Sequence, residues 1–517
     1  MAHHCESTSL VISNSKIAII GAGFSGIAAA KQLCHHNPIV FEASDSIGGV
    51  WKSCAYNSTK LQSTRKNYEF AEFPWPNRDD PTLPSKLDVL DYLESYAKHF
   101  DVLKFIKFNS KVVELRFFGC SETTELFGNA GYYWNRPLLG QPVWEIAVQT
   151  NDSNCLKWYA FEFVVVCIGQ YGDIPKIPKF LNNKGPEIFE GKGKVLHTID
   201  YCKLNKDAAS QLLKGKKVVV VGYKKSAIDL VVECAQANQG DEGQPCTMVV
   251  RTPHWVAPHH WLFGLLFFIF YTTRSSELLR KRPNQTVFRT LLCYLLSPVR
   301  RGVSKFMESF LLWKLPLNKY GLKPDHRFEE DIASCMLATV PEDFFAEANK
   351  GNIVFKRAAE WWFWKEGIEF TDKTKMKADV VILATGYDGM KKLKTILPEP
   401  FCSMIEYPYG MMALYRHTIH PLIPKMAFVG YIESVSNVGA SELRSIWLAR
   451  LIDEKFKLPS AENMVEKTLR EMEFMRKTIR FYQRPCISTF EINETDQICE
   501  EMRWLSKASR QDYSQKN

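Results

Sequence analysis

The absences narrow the field first. The 14 cysteines are scattered singly from Cys5 to Cys499, with no Cys-x-x-Cys pair and no Cys/His cluster at zinc spacing. A zinc module and a paired-cysteine redox centre are therefore not expected, and free thiols in this number suit a reducing compartment. No Lys/Arg-rich block stands out, although 66 basic residues against 57 acidic ones leave a net charge of +9. The surplus is spread along the chain, so no nucleic acid is expected as a partner. No apolar run reaches the roughly 20 residues that a membrane-spanning helix needs. The longest, residues 261–270, and a second around 291–296 read as a buried helical pair, with peripheral membrane contact or a channel cover left open. The opening residues lack the apolar core of a signal peptide, and residues 503–517 are polar, so neither leader nor anchor is expected. There is no low-complexity tract, no catalytic triad and no metal-ligand set.

What is present is a long chain with ample apolar content. A chain of 517 residues, 46% hydrophobic, is expected to form two or more cores. Three short β-branched runs each end at or near a glycine: Lys16-Ile-Ala-Ile-Ile20, Lys217-Val-Val-Val-Val221 and Asp379-Val-Val-Ile-Leu-Ala384. They read as buried parallel strands. The first two run into small, helix-compatible residues and so open two separate nucleotide-binding units. The third opens no helix. It reads as a closing strand of the first sheet, in the form also taken by Phe163-Val-Val-Val-Cys-Ile-Gly169. The expected fold is α/β, with two Rossmann-like dinucleotide domains. The first occupies residues 1–195 and 350–517, and the second is inserted at 196–349.

The first loop, Gly21-Ala22-Gly23-Phe24-Ser25-Gly26, is a Gly-x-Gly-x-x-Gly sequence. Gly21 allows the tight turn, Gly23 lets backbone approach a pyrophosphate, and Gly26 lets helix pack on strand. The helix N-terminus then aims amides at phosphate. Glu42 closes the next strand, Ile39-Val-Phe-Glu42, where a ribose hydroxyl partner belongs. Its charge repels a 2′-phosphate, so FAD fits here and NADPH does not. The second loop, Gly222-Tyr-Lys224-Lys-Ser226-Ala227, departs from the rule. Lys224 stands at the middle glycine and Ala227 at the last, while Ser226 and Ala227 remain small enough for close packing. The following strand ends in Arg251, the residue type that takes a 2′-phosphate. Arg251 read blandly is a solvated strand-end cation, and Lys224 and Lys225 an ordinary loop. Two lysines beside a helix dipole are nonetheless unfavourable unless an anion sits there. The pair reads as FAD first, NADPH second.

Taken together with Gly48-Gly-Val-Trp51, Leu61-Gln-Ser-Thr64, Phe70-Ala-Glu-Phe-Pro-Trp-Pro76 and Leu383-Ala-Thr-Gly-Tyr387, the chain resembles the plant flavin-containing monooxygenase family. Among its branches it is most similar to the defence-associated one that N-hydroxylates pipecolic acid. The resemblance implies a cytoplasmic enzyme, in some settings at the endoplasmic reticulum surface. One oxygen atom would pass from O2 through a C4a-hydroperoxyflavin to a nucleophilic amine nitrogen, serving systemic acquired resistance. S-oxygenation or N-oxygenation of another metabolite, or a flavoprotein sensor without turnover, are the alternatives. The resemblance places Val50 and Trp51 along the flavin, Val112 at adenine, and Gln62 beside the reacting oxygen in place of a common Asn. Trp51 and Val112 have core packing as their bland reading. Residues 361–364, all aromatic, read as a buried strand. The family marker around Phe189, Gly191, His197 and Tyr201 carries a two-residue insertion near Lys192, and His197 reads as structural.

Overall fold

The computed structural model describes residues 10–11, 14–118, 134, 136–138, 140–150, 156–189, 194–240, 243–258, 270–271 and 273–504. Most of the apolar run at 261–270 and the insertion near Lys192 lie outside these residues. All four residues of Ile17–Ile20, Phe163–Val166, Val218–Val221 and Val380–Leu383 are buried. A strand without a polar face needs cover on both sides, which a parallel sheet between layers supplies.

Two such sheets form. The first has five parallel strands in the order Met426–Phe428, Phe163–Val166, Ile17–Ile20, Ile39–Phe41, Ile106–Lys107. The helix Phe24–Gln32 lies on it beneath Asn437–Ile452. Its small residues Ala28, Ala29 and Ala30 are fully buried, and Ser25 Oγ meets Ser441 Oγ at 3.1 Å. A sheet of Ser110–Phe117, Trp144–Thr150, Leu156–Phe161 and Leu10–Val11 covers the other face.

The second sheet runs Ile353–Arg357, Cys246–Val250, Val218–Val221, Val380–Leu383, Lys194–His197, again all parallel. Alternation along Val218–Val221 divides the labour between its faces. Val218 and Val220 pack toward the helix Lys225–Ala237, whereas Val219 and Val221 pack against Phe363, Ile368 and Phe370 of a small antiparallel sheet.

Three expectations are corrected. Val380–Leu383 pairs with Val218–Val221 and Lys194–His197, so it closes the second sheet and not the first; Ile353–Arg357 is likewise in the second sheet. Both parallel sheets demand the same uninterrupted apolar strand, so sequence character did not distinguish them. The stretch around 291–296 is no buried pair, because Leu291 and Leu295 of the helix Val287–Leu295 are exposed. Cysteine spacing also missed a disulfide, Cys335–Cys486, which joins positions 151 residues apart; nine other described cysteines form no disulfide. Among the described residues, no helix is long and apolar enough to cross a membrane.

Candidate functional site

Both glycine loops open into one continuous cavity of about 3740 Å³. At the first loop, Gly21 has φ +99°, and a Cβ there would meet Cys167 O at 2.8 Å. A Cβ on Gly26 would lie 1.8 Å from Gly21 O, so helix and turn touch backbone to backbone. Gly23 differs. It caps the helix Phe24–Gln32 in extended conformation at φ −72°, and a Cβ would find only Gly49 Cα at 3.7 Å. Neither strain nor protein contact requires glycine at this point. A side chain would instead fill the cradle between Gly23 and Gly49, directly at a helix N-terminus that no side chain caps. That opening suits a diphosphate. Ala22 and Phe24 complete the loop, with Ala22 buried.

Glu42 is buried and held on both oxygens. Oε2 accepts from Ala22 N at 2.6 Å, and Oε1 from Ser44 N at 2.9 Å and Ser44 Oγ at 2.6 Å. Gly48 and Gly49, both at positive φ, turn the chain into the short helix Val50–Ser53, whose Val50 and Trp51 line the cavity. Trp51 Nε1 donates to Tyr68 Oη at 2.8 Å, fixing the indole. Val112 lines the cavity from the strand Ser110–Phe117, just before its register breaks. Gln62 also reaches the cavity. Its Oε1 accepts from Thr339 N at 3.0 Å, which turns the amide NH2 group the other way.

At the second loop Gly222 has φ +145°, and a Cβ would clash with Ala384 O at 2.5 Å. Ala227 is buried and Ser226 lines the cavity. Lys224 caps the helix Lys225–Ala237 in extended conformation at φ −109°. The two lysines separate in role. Lys225 pairs with buried Asp229 one turn on, while Lys224 has no ion-pair partner among the described residues. Lys224 is exposed on the cavity wall, yet desolvation by the surrounding walls, then the neighbouring Arg484 and Arg251, lowers its pKa to about 8 against the pull of Glu433 and Asp331. Arg251 stands exposed on the cavity wall just past the strand Cys246–Val250.

Sequence reasoning missed two clusters, one on this wall and one buried behind it that reaches the cavity only through His254. Arg484 Nη1 meets Glu433 Oε1 at 2.7 Å, and Tyr171 Oη bonds both. Asp331 accepts from Trp255 N at 2.6 Å and faces His254 Nδ1 at 2.8 Å and His326 Nε2 at 2.9 Å, all buried. Each cluster joins segments remote in sequence, and no local motif announces either. Trp361 and Trp362 line the cavity, whereas Phe363 of the same strand is core. His197 is buried, and its Nδ1 accepts from Ile199 N at 3.2 Å at the start of the helix Thr198–Cys202. Burial lowers its pKa.

The family model described as "Flavin-binding monooxygenase-like" matches residues 14–505. "Probable flavin-containing monooxygenase 1" of Arabidopsis thaliana is 62% identical over 492 residues, covering 95% of this chain and 92% of the relative. "Putative flavin-containing monooxygenase 2" of the same plant is 58% identical, covering 95% and 97%. Among solved structures, OTEMO in complex with FAD and NADP has a similar fold, with a TM-score of 0.66 at 17% identity, covering 95% of this chain and 98% of that one. The chain therefore belongs to the flavin-binding monooxygenase-like family, and it is a flavin-dependent monooxygenase that uses FAD and NADPH.

Proposed function

We propose that this enzyme N-hydroxylates a small cyclic amine, pipecolic acid or a close relative, in plant defence and systemic acquired resistance. It works in the cytoplasm, with peripheral membrane contact. The carrying observation is the single cavity that joins both glycine loops and holds the Glu433–Arg484 pair on its wall. A zwitterionic amino acid presents both charges that such a pair satisfies. FAD, when bound, supplies oxygen transfer from O2 at the expense of NADPH.

The chain's own groups bind, orient and exclude water. The Gly21–Gly23–Gly26 turn and the amides of Phe24 and Ser25 hold the FAD diphosphate, and Glu42, preset by Ala22 and Ser44, accepts from ribose hydroxyls. Val112 lies at adenine, and Val50 and Trp51 lie along the ring system. Gly222, Ser226, Ala227 and Lys224 hold the NADPH diphosphate, and Arg251 the 2′-phosphate. Gln62, its carbonyl fixed by Thr339, donates its NH2 toward the reacting oxygen. The test is product analysis by mass spectrometry with a panel of secondary amines and sulfides. One oxygen added at the nitrogen of pipecolate, coupled to NADPH use, is expected. Sulfoxides formed with no amine product would overturn the amine reading.

A further inference from the structure

The buried group at His254, His326 and Asp331 has no part in the reaction proposed above. His254 lies in the turn after the strand Cys246–Val250, and Asp331 in the helix Phe328–Ala333, with His326 just before it. Two imidazoles converge on one carboxylate oxygen: His254 Nδ1 and His326 Nε2 stand 2.8 and 2.9 Å from Asp331 Oδ1. The second carboxylate oxygen is already used, accepting from Trp255 N at 2.6 Å. The side chains of His326 and Asp331 are fully buried. Phe481 packs edgewise on both imidazoles, with ring centres 5.1 and 4.7 Å away.

The contact of His326 is the anomaly. Its Nε2 makes no hydrogen bond among the described residues, although it sits so close to Asp331 Oδ1. Its other nitrogen, Nδ1, is hydrogen-bonded to Asp325 Oδ1 at 3.3 Å. A neutral imidazole that donates from Nδ1 carries a lone pair on Nε2. That lone pair then faces a carboxylate oxygen, which is repulsive unless a cation lies between them. A carboxylate behind a histidine is also the usual support of a metal ligand, because it fixes the tautomer and raises the basicity of the ligating nitrogen. The exposed group of His35, His36 and Asp453 lacks this feature. There both Nε2 atoms form ordinary hydrogen bonds to Asp453 Oδ1 at 2.8 Å.

We propose that His254, His326 and Asp331 bind a divalent first-row transition metal, with Asp325 as the outer support of His326. With metal–ligand bonds of about 2.1 Å, donor pairs this close subtend about 85–90° at the ion, whereas a tetrahedral pair would stand about 3.4 Å apart. The spacing thus suits neighbouring corners of an octahedron, and two imidazoles with one carboxylate suit such ions. His254 lines the cavity, which gives the ion its way in. The ion fastens the turn that follows Arg251 to the helix Phe328–Ala333. The inference does not depend on the substrate.

The test is equilibrium dialysis of the chelator-stripped, FAD-loaded enzyme against Co2+, with bound metal measured by mass spectrometry. His35→Gln with His36→Gln serves as the background, so that the exposed group cannot contribute. One Co2+ per chain is expected in that background, together with a higher unfolding midpoint. His326→Gln is expected to abolish both effects. Asp325→Asn is expected to weaken binding about tenfold to hundredfold; Asp325 is exposed, so this variant decides if His326→Gln does not fold. The proposal is overturned if the background binds no Co2+, in which case a proton on His326 fills the gap. It is equally overturned if His326→Gln binds Co2+ like the background, or if Asp325→Asn leaves the affinity unchanged.

Discussion

Lys224 offers the sharpest perturbation. Its ammonium, exposed on the cavity wall, is lowered to about pKa 8 by desolvation from the surrounding walls and by Arg484 and Arg251, and an anion in the loop would return it to the charged form. A charge-assisted contact contributes roughly 1.5–3 kcal/mol. At 1.36 kcal/mol per unit, the pKa with NADPH bound should rise by about one to two units, to about 9–10. The sign follows from linkage. Below pH 8 the lysine is protonated with or without ligand, and the contact is fully present. Between about 8 and 9–10 the free enzyme loses its proton while the complex keeps it, so affinity falls about tenfold per pH unit. The total loss is about tenfold to hundredfold. Lys224→Ala should show that loss already at neutral pH and lack this descent, whereas Lys224→Arg should keep the affinity and also lack it. The assay is the NADPH dependence of anaerobic flavin reduction by stopped flow across this range. A wild-type profile matching that of Lys224→Ala, or equal affinities at neutral pH, would refute the reasoning.

Gly23→Asp places a carboxylate in the cradle opposite Gly49 and should yield colourless protein; a normal yellow spectrum would remove the FAD assignment from this loop. Arg251→Ala should weaken NADPH about tenfold to hundredfold and leave NADH unchanged, read from the two titrations; an equal loss with both coenzymes would mean a structural role. Gln62→Ala should keep FAD content and flavin reduction but release more hydrogen peroxide per NADPH consumed. Unchanged coupling in that variant would leave Gln62 as pocket lining.

Much of the fold was legible because a buried parallel strand has a strong local signature. Ile17–Ile20 and Val218–Val221 run straight into a glycine that must adopt positive φ, and each feeds a helix. Membership of a strand in one sheet or the other is not a local property. Val380–Leu383 is as apolar as Phe163–Val166, yet it pairs in the second sheet, and only its partners decide that. The exposed helices were misread for a related reason. Leu291 and Leu295 look like core to any hydrophobicity argument, and the inward face proved to be Cys293 and its neighbours instead.

The second loop exposes what the glycine rule measures. Read as a pattern, Lys224 is a defect in the loop. In the fold, Gly23 and Lys224 occupy equivalent helix-capping positions with nearly the same backbone, ψ −178° and −179°, both at negative φ. The middle position therefore demands no left-handed conformation, unlike Gly21 and Gly222 at φ +99° and +145°. What it demands is room for a ligand. A lysine meets that demand when its side chain runs along the cavity wall; Lys224 is solvent-exposed there, its pKa lowered by desolvation and by the nearby Arg484 and Arg251, and it has no ion-pair partner among the described residues. The substitution that breaks the sequence rule thus carries the charge that an anionic coenzyme would satisfy, while Lys225, the residue that keeps to the rule, is spent on Asp229.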